Sequence, residues 1–358
     1  MRFPSVVEAA GRARETVIRF PLALLAGGVA AVAAWIAVGG PDSESTAVLR
    51  IILAALVGIP LLFVLVLDGE RRGWSGSKRL LVSAVGLVVP VGFFLLGPDW
   101  SYILLFTRFF HLDLGLHLLV AFLPFIGVPS ENGFWQYNRT LFLRFLVSAL
   151  YSTVLYTGLA LALAALDQLF GVNVEGKTYV RLMFVIAFVF NTWFFLGGVP
   201  RDLAALGERE EYPAGLKVFT QFVLIPLVAI YLLILTTYLG RVLLTRTWPS
   251  GWIGWLVSGV AVAGTLALLL VHPLRERKGL GWINAYGRWF FVVLLPSVGM
   301  LLAAILQRVG QYGFTERRYF LLVLALYLGG IAIFYGLTGS RRIRWIPLVL
   351  ALDRKSVV

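Results

Sequence analysis

Residues 218–239 read VFTQFVLIPLVAIYLLILTTYL, twenty-two positions without one charged side chain. Coiled as an α-helix at about 1.5 Å per residue, such a run covers roughly 30 Å, the thickness of bilayer hydrocarbon. A backbone in hydrocarbon has to satisfy its own hydrogen bonds, and a continuous helix does so. Similar runs lie to either side. On the N-terminal side they are Pro21–Val38, Leu49–Leu67, Leu80–Leu96, Tyr102–Ile126, Leu141–Leu166 and Tyr179–Leu196. On the C-terminal side they are Ile253–Val271, Trp289–Leu306 and Tyr319–Leu337. The expected fold class is therefore all-α, a polytopic transmembrane helix bundle of ten complete spans, with an eleventh run starting at Trp345.

The composition of the 358 residues agrees: 59% are hydrophobic and 14% charged, and the mean hydropathy is +0.88. A soluble domain has about 45–50% apolar and about 25% charged residues. The net charge of +13 would suggest nucleic acid in a soluble protein. Here it has another cause, since lysine and arginine collect in cytoplasmic loops. With the N-terminus inside, the inner segments hold twenty of these residues and the outer segments eight. That asymmetry predicts a cytoplasmic N-terminus and a multi-pass protein of a bacterial-type inner membrane. The lipid bilayer is the expected partner and nucleic acid is not. The absence of cysteine excludes disulfides, thiolate metal sites and cysteine nucleophiles. No P-loop, dinucleotide fingerprint, HExxH or nucleophile elbow is present, so no cofactor and no metal is expected.

Residues 1–20 read as an amphipathic lead-in lying at the membrane interface. Val6, Ala10, Ala13, Val17 and Phe20 share one helical face, with Glu8–Arg12 and Glu15–Arg19 pairs on the polar side. The short connections after it predict one membrane domain over 21–352.

Three groups of residues are candidates for function. The run Tyr102–Ile126 carries Arg108, His111, Asp113 and His117, whereas the other spans are nearly free of ionisable groups away from their ends. Charge at membrane depth is costly and faces a cavity or a partner. Asp113 and His117 share a face at i,i+4, and Arg108 and His111 share another at i,i+3. The four diverge too far to make one metal site. Asp113–His117 suits a proton relay. The alternative is an interfacial or broken stretch over Thr107–Gly115, with Gly115 as the weak point.

Residues 134–145, FWQYNRTLFLRF, set aromatic rings beside Arg139 and Arg144. Trp135, Tyr137, Asn138, Arg139 and Arg144 suit an anchor in the cytoplasmic headgroup region. A specific partner site is the alternative. The Asn138-Arg139-Thr140 sequon falls on the wrong side for glycosylation. Residues 308–320, RVGQYGFTERRYF, put Arg308, Tyr312, Thr315, Glu316, Arg317 and Arg318 on the outer side, against the usual charge bias. Pairing with Glu316, lipid phosphate, Asp167 or Glu175 would offset that cost. Asn191 and Gln221 are intramembrane amides suited to bonds across helices. Ser75-Gly-Ser-Lys78 has the S-x-x-K spacing of serine–lysine acylases, but no supporting motif.

The last six residues, DRKSVV (353–358), end an apolar run with charge. The codons GAT-CGG-AAG-AGC-GTC-GTG encode them and coincide with the start of a common sequencing adapter. A reading frame that ran into adapter DNA is the expectation, with a C-terminal portion missing. A genuine short tail is the alternative.

Five stretches together resemble a bacterial family. They are FWQYN-x-x-LFLRFL (134–146), ALDQLFGV (165–172), FFLGGVPR (194–201), YGFTERRYFLLVLALYLGGIAIF (312–334) and RRIRWIPLVLAL (341–352). The chain is similar in them to the domain-of-unknown-function 4153 membrane proteins. The resemblance implies about a dozen spans followed by a smaller C-terminal portion, and no activity. Three functions stay open: a non-enzymatic or accessory module serving a protein partner, a secondary transporter using the ionisable residues of Tyr102–Ile126, and an enzyme acting on a lipid-linked substrate.

Overall fold

The computed structural model describes residues 6–39, 46–128, 130–203, 205–208, 212–245, 252–273 and 281–338. The eleventh run and the DRKSVV tail lie outside the described residues, as do the first five. Among the described residues all regular structure is helical. The helices are α1 (Val6–Arg19), α2 (Pro21–Ala37), α3 (Thr46–Arg71), α4 (Gly76–Leu95), α5 (Tyr102–Phe122) and α6 (Glu131–Phe170). They continue with α7 (Gly176–Val185), α8 (Asn191–Leu196), α9 (Ala214–Phe219), α10 (Ile225–Thr245), α11 (Trp252–Val271), α12 (Gly281–Tyr312) and α13 (Glu316–Thr338). A π-helical turn at Ile186–Phe190 joins α7 to α8, and another at Thr220–Leu224 joins α9 to α10.

Eight of these helices or joined helices are long and apolar enough to cross a membrane. They are α3, α4, α5 with its following 3-10 turn, α6, α7–α8, α9–α10, α12 and α13. The expected first span, α2, has 17 residues and is bent by 97° from the end of α1. Pro21 explains the bend: its ring drives the preceding residue out of the helical region, and Phe20 sits at φ −125°, ψ 49°. The expected eighth span, Ile253–Val271, appears as the shorter apolar segment Leu256–Val271 within α11. Side chains such as Val88 (68% exposed) and Val89 (71%) stand outward from α4. Rows of exposed aliphatic groups in mid-helix suit lipid contact, where they cost nothing.

The chain forms two compact units, the first from residues 1–129 and 136–204, the second from 130–135 and 205–358. In the first, α2 packs on α3, and α3 packs on α4 and α5. A stripe of small residues on α2, Ala23, Ala26, Gly27, Ala30 and Ala34, is buried there, which lets backbones approach closely. A Cβ on Gly27 would lie 2.5 Å from the carbonyl oxygen of Phe188. Leu53, Val57, Phe94 and Leu105 close the core between α3, α4 and α5. In the second unit α12 packs on α13, with Phe291 stacked on Tyr335 at 5.2 Å.

Helix ends assigned to one side by the alternation of spans meet each other in the first unit. Arg19, Glu70, Arg79 and the carbonyls of Val199 and Pro200 join at one end, and Arg71 reaches the Leu123 carbonyl beside them. At the other end Arg50 donates to the carbonyls of Gly97 and Pro98, and Arg181 donates to that of Val38.

Candidate functional site

The helix α5 carries the ionisable residues. Ser101 caps it by accepting from the Leu104 N–H at 3.4 Å. The helix then runs unbroken to Phe122, with Gly115 buried inside it, so the broken stretch expected as the alternative is not found. Its four ionisable groups part as their spacing requires. The Arg108 guanidinium lies over the Trp100 ring, 4.3 Å from its centroid. The His111 Nδ1 faces the Thr107 carbonyl one turn back. The His117 Nδ1 sits 2.9 Å from the Asp113 carbonyl oxygen and 3.3 Å from Asp113 Oδ2. A carbonyl oxygen only accepts, so the His117 proton belongs on Nδ1 and leaves Nε2 available.

Asp113 and His117 open onto a cleft of about 510 Å³ in the first unit. Four elements wall it. From α3 come Ile59, Pro60 and Phe63, and from α5 Phe109, Asp113 and His117. From α6 come Asn138, Phe142 and Phe145, and from the end of the α7–α8 span Asn191, Thr192 and Phe195. The cleft thus runs from mid-α3 toward the end of the bundle that holds Arg19 and Glu70. Two irregularities flank it. Pro60 interrupts the hydrogen-bond ladder inside α3, and the π-helical turn Ile186–Phe190 directly precedes Asn191. Such π-turns recur at functional sites because the widened turn re-aims the following side chains. The Asn191 amide makes no hydrogen bond to a described residue, while Asn138 Nδ2 donates to the Ala121 carbonyl at 3.0 Å. Two of the stretches that carry the family resemblance, 134–146 and 194–201, meet in these walls.

The other candidate residues fall elsewhere. Tyr137 is fully buried, and its hydroxyl donates to the Val120 carbonyl at 3.1 Å. Trp135, in the second unit, is also buried, stacks on Tyr212 at 5.6 Å and donates to the Leu269 carbonyl. These two rings face protein, with their polar tips satisfied by backbone. Arg144 fills the space over Gly198, where a Cβ would collide with its side chain. Arg139 belongs to the same helix, α6.

On the outer-loop group, Arg318 donates to the carbonyls of Tyr312 and Gly313, at 3.1 and 2.6 Å, and lies over the Tyr312 ring. Thr315 precedes α13, and its carbonyl accepts from the Tyr319 N–H. Arg308 is exposed near the end of α12, and Glu316 and Arg317 open α13. Asp167 is used within its own loop, accepting from the Val174 N–H. Ser75 caps α4 by accepting from the Lys78 N–H, which gives the S-x-x-K spacing a structural role. Among the described residues no group of three or more His, Asp or Glu side chains could hold a metal ion.

The expected Glu15–Arg19 pair is not found, since Glu15 accepts from Arg201 and Arg19 joins a dense charge cluster that sequence reasoning missed. Glu70 accepts from Arg19 Nε and Nη2 at 2.9 and 2.7 Å and from Arg79 Nη1 at 2.9 Å. Arg19 donates further to the Val199 and Pro200 carbonyls, both at 2.8 Å. The only visible signal was Glu70 standing beside the arginines of the 68–79 loop, and pairing across that distance in sequence is a tertiary event.

A family model described as a domain of unknown function, DUF4153, matches residues 23–352. The chain belongs to the DUF4153 family. It is also 28% identical over 213 residues to an uncharacterised protein of Pasteurella multocida (strain Pm70). That match takes in 58% of this chain and only 36% of the relative, so the chain spans about a third of that protein's length. No solved structure matches the chain.

Proposed function

We propose that this DUF4153 chain is a non-enzymatic, multi-pass module of a bacterial inner membrane, with its N-terminus in the cytoplasm, whose first unit binds a ligand at membrane depth. One observation carries the proposal: Asp113, His117 and the unbonded Asn191 amide converge from two spans on a single cleft. Ionisable and amide groups are expensive in hydrocarbon unless a cavity or partner receives them. The charge asymmetry of the loops supports the orientation, and the grouping of helix ends supports the alternation of spans. A protein partner for the second unit fits the same accessory role. Secondary transport is the second reading, favoured by the Pro60 and π-turn irregularities in the cleft walls, where helices yield most readily.

The chain has no cysteine, so single cysteines report without background. Maleimides react with a thiolate, which forms in water and not in hydrocarbon. In membrane vesicles Asn191→Cys is expected to react with N-ethylmaleimide, whereas Val189→Cys, off the cleft, stays inert. If both stay inert, the cleft is closed to water and the binding reading is wrong. Labelling of Asn191→Cys from both faces by a membrane-impermeant maleimide would favour transport.

A further inference from the structure

The lining of the cleft specifies more than polarity. Asp113 is its one carboxylate, and neither lysine nor arginine lines it, although the chain carries 31 of those residues against 18 acidic ones. The carboxylate is reachable, since the Asp113 side chain is 27% exposed, and its only charged neighbour there is His117. Around it stand five phenylalanines, Phe63, Phe109, Phe142, Phe145 and Phe195. A phenyl face carries partial negative charge and attracts a cation, and more strongly once both are desolvated. The Asn191 side chain adds a carbonyl acceptor without adding positive charge. An anion would meet a carboxylate between aromatic walls, and the one lining group able to carry positive charge, His117, is already paired with that carboxylate.

We propose that the cleft is a binding site for lipophilic organic cations, amines or quaternary onium ions with an apolar body. The onium centre sits beside Asp113, and the apolar substituents contact the phenylalanine rings and Pro60. A cleft of about 510 Å³ lies within the usual range for pockets that take drug-sized molecules. This rests on the proposed membrane-depth site and names its ligand class.

The test uses two probes of equal shape and opposite sign, tetraphenylphosphonium and tetraphenylborate. Equilibrium binding of each is measured on the full chain in nanodiscs, in mildly alkaline buffer. The wild-type chain is expected to retain tetraphenylphosphonium above empty nanodiscs and to reject tetraphenylborate. Asp113→Asn is expected to weaken cation binding by about tenfold or more, the scale of a desolvated charge contact. Asn191→Asp, which adds a second carboxylate, is expected to strengthen it, and so keeps the test decisive if Asp113→Asn misfolds. Equal retention of both probes, or unchanged cation binding in the Asp113 and Asn191 variants, overturns the proposal. If Asn191→Cys labels but the cation does not bind, the site stands and its ligand class is wrong.

Discussion

The first unit places its charges in two different settings. At one end of the bundle, Arg19, Glu70 and Arg79 bond to each other and to the Val199 and Pro200 carbonyls. Arg19 is 11% exposed there and Glu70 21%. Near the middle, Asp113 and His117 bond only to one another among the described residues, and both line the cleft. The first setting spends its hydrogen bonds on holding α1, α3, α4 and the end of α8 together. The second leaves acceptors over. Charge at a helix end is therefore structural here, and charge in mid-span is the part left available to a ligand.

The largest expected effect breaks the first setting. Glu70→Ala leaves two guanidinium groups without their carboxylate, and losing the acceptor of three charge-assisted hydrogen bonds in a half-buried cluster costs about 3 kcal/mol. Unfolding of the purified chain in detergent should register most of that loss. Gly27→Ala comes next, because its Cβ would meet the Phe188 carbonyl where α2 packs against the π-turn. Overpacking of this kind costs about 1–3 kcal/mol, read by the same unfolding measurement. Asp113→Asn should change stability by less than about 1 kcal/mol, since an i,i+4 pair within one helix contributes only about 0.2–0.5 kcal/mol. Its effect belongs to the binding of tetraphenylphosphonium. Arg318→Ala, at an exposed loop in the second unit, should cost about 0.5–1.5 kcal/mol at most, the worth of ordinary hydrogen bonds to carbonyls.

Much of the fold was legible from sequence because hydropathy reports where a helix can rest in lipid, and eight expected spans have helices that meet the length and apolarity of a crossing. The ends were less legible. The expected span Leu141–Leu166 is the middle of α6, which runs from Glu131 to Phe170, because FWQYNR is polar yet contains no helix breaker. Within the site, spacing alone paired Asp113 with His117 and separated them from Arg108 and His111. The arrival of Asn138, Asn191 and Thr192 at the same cleft was not legible, since it depends on how α5, α6 and the α7–α8 span pack. The π-turn before Asn191 leaves no mark in composition either.

The central claim is that the two settings do different work, and a side-by-side measurement on Glu70→Gln and Asp113→Asn tests it most directly. Each variant is unfolded in detergent and titrated with tetraphenylphosphonium in nanodiscs. Glu70→Gln should lose stability and, while folded, keep its affinity; Asp113→Asn should keep its stability and lose affinity. Equal destabilisation with unchanged binding in both would contradict the account.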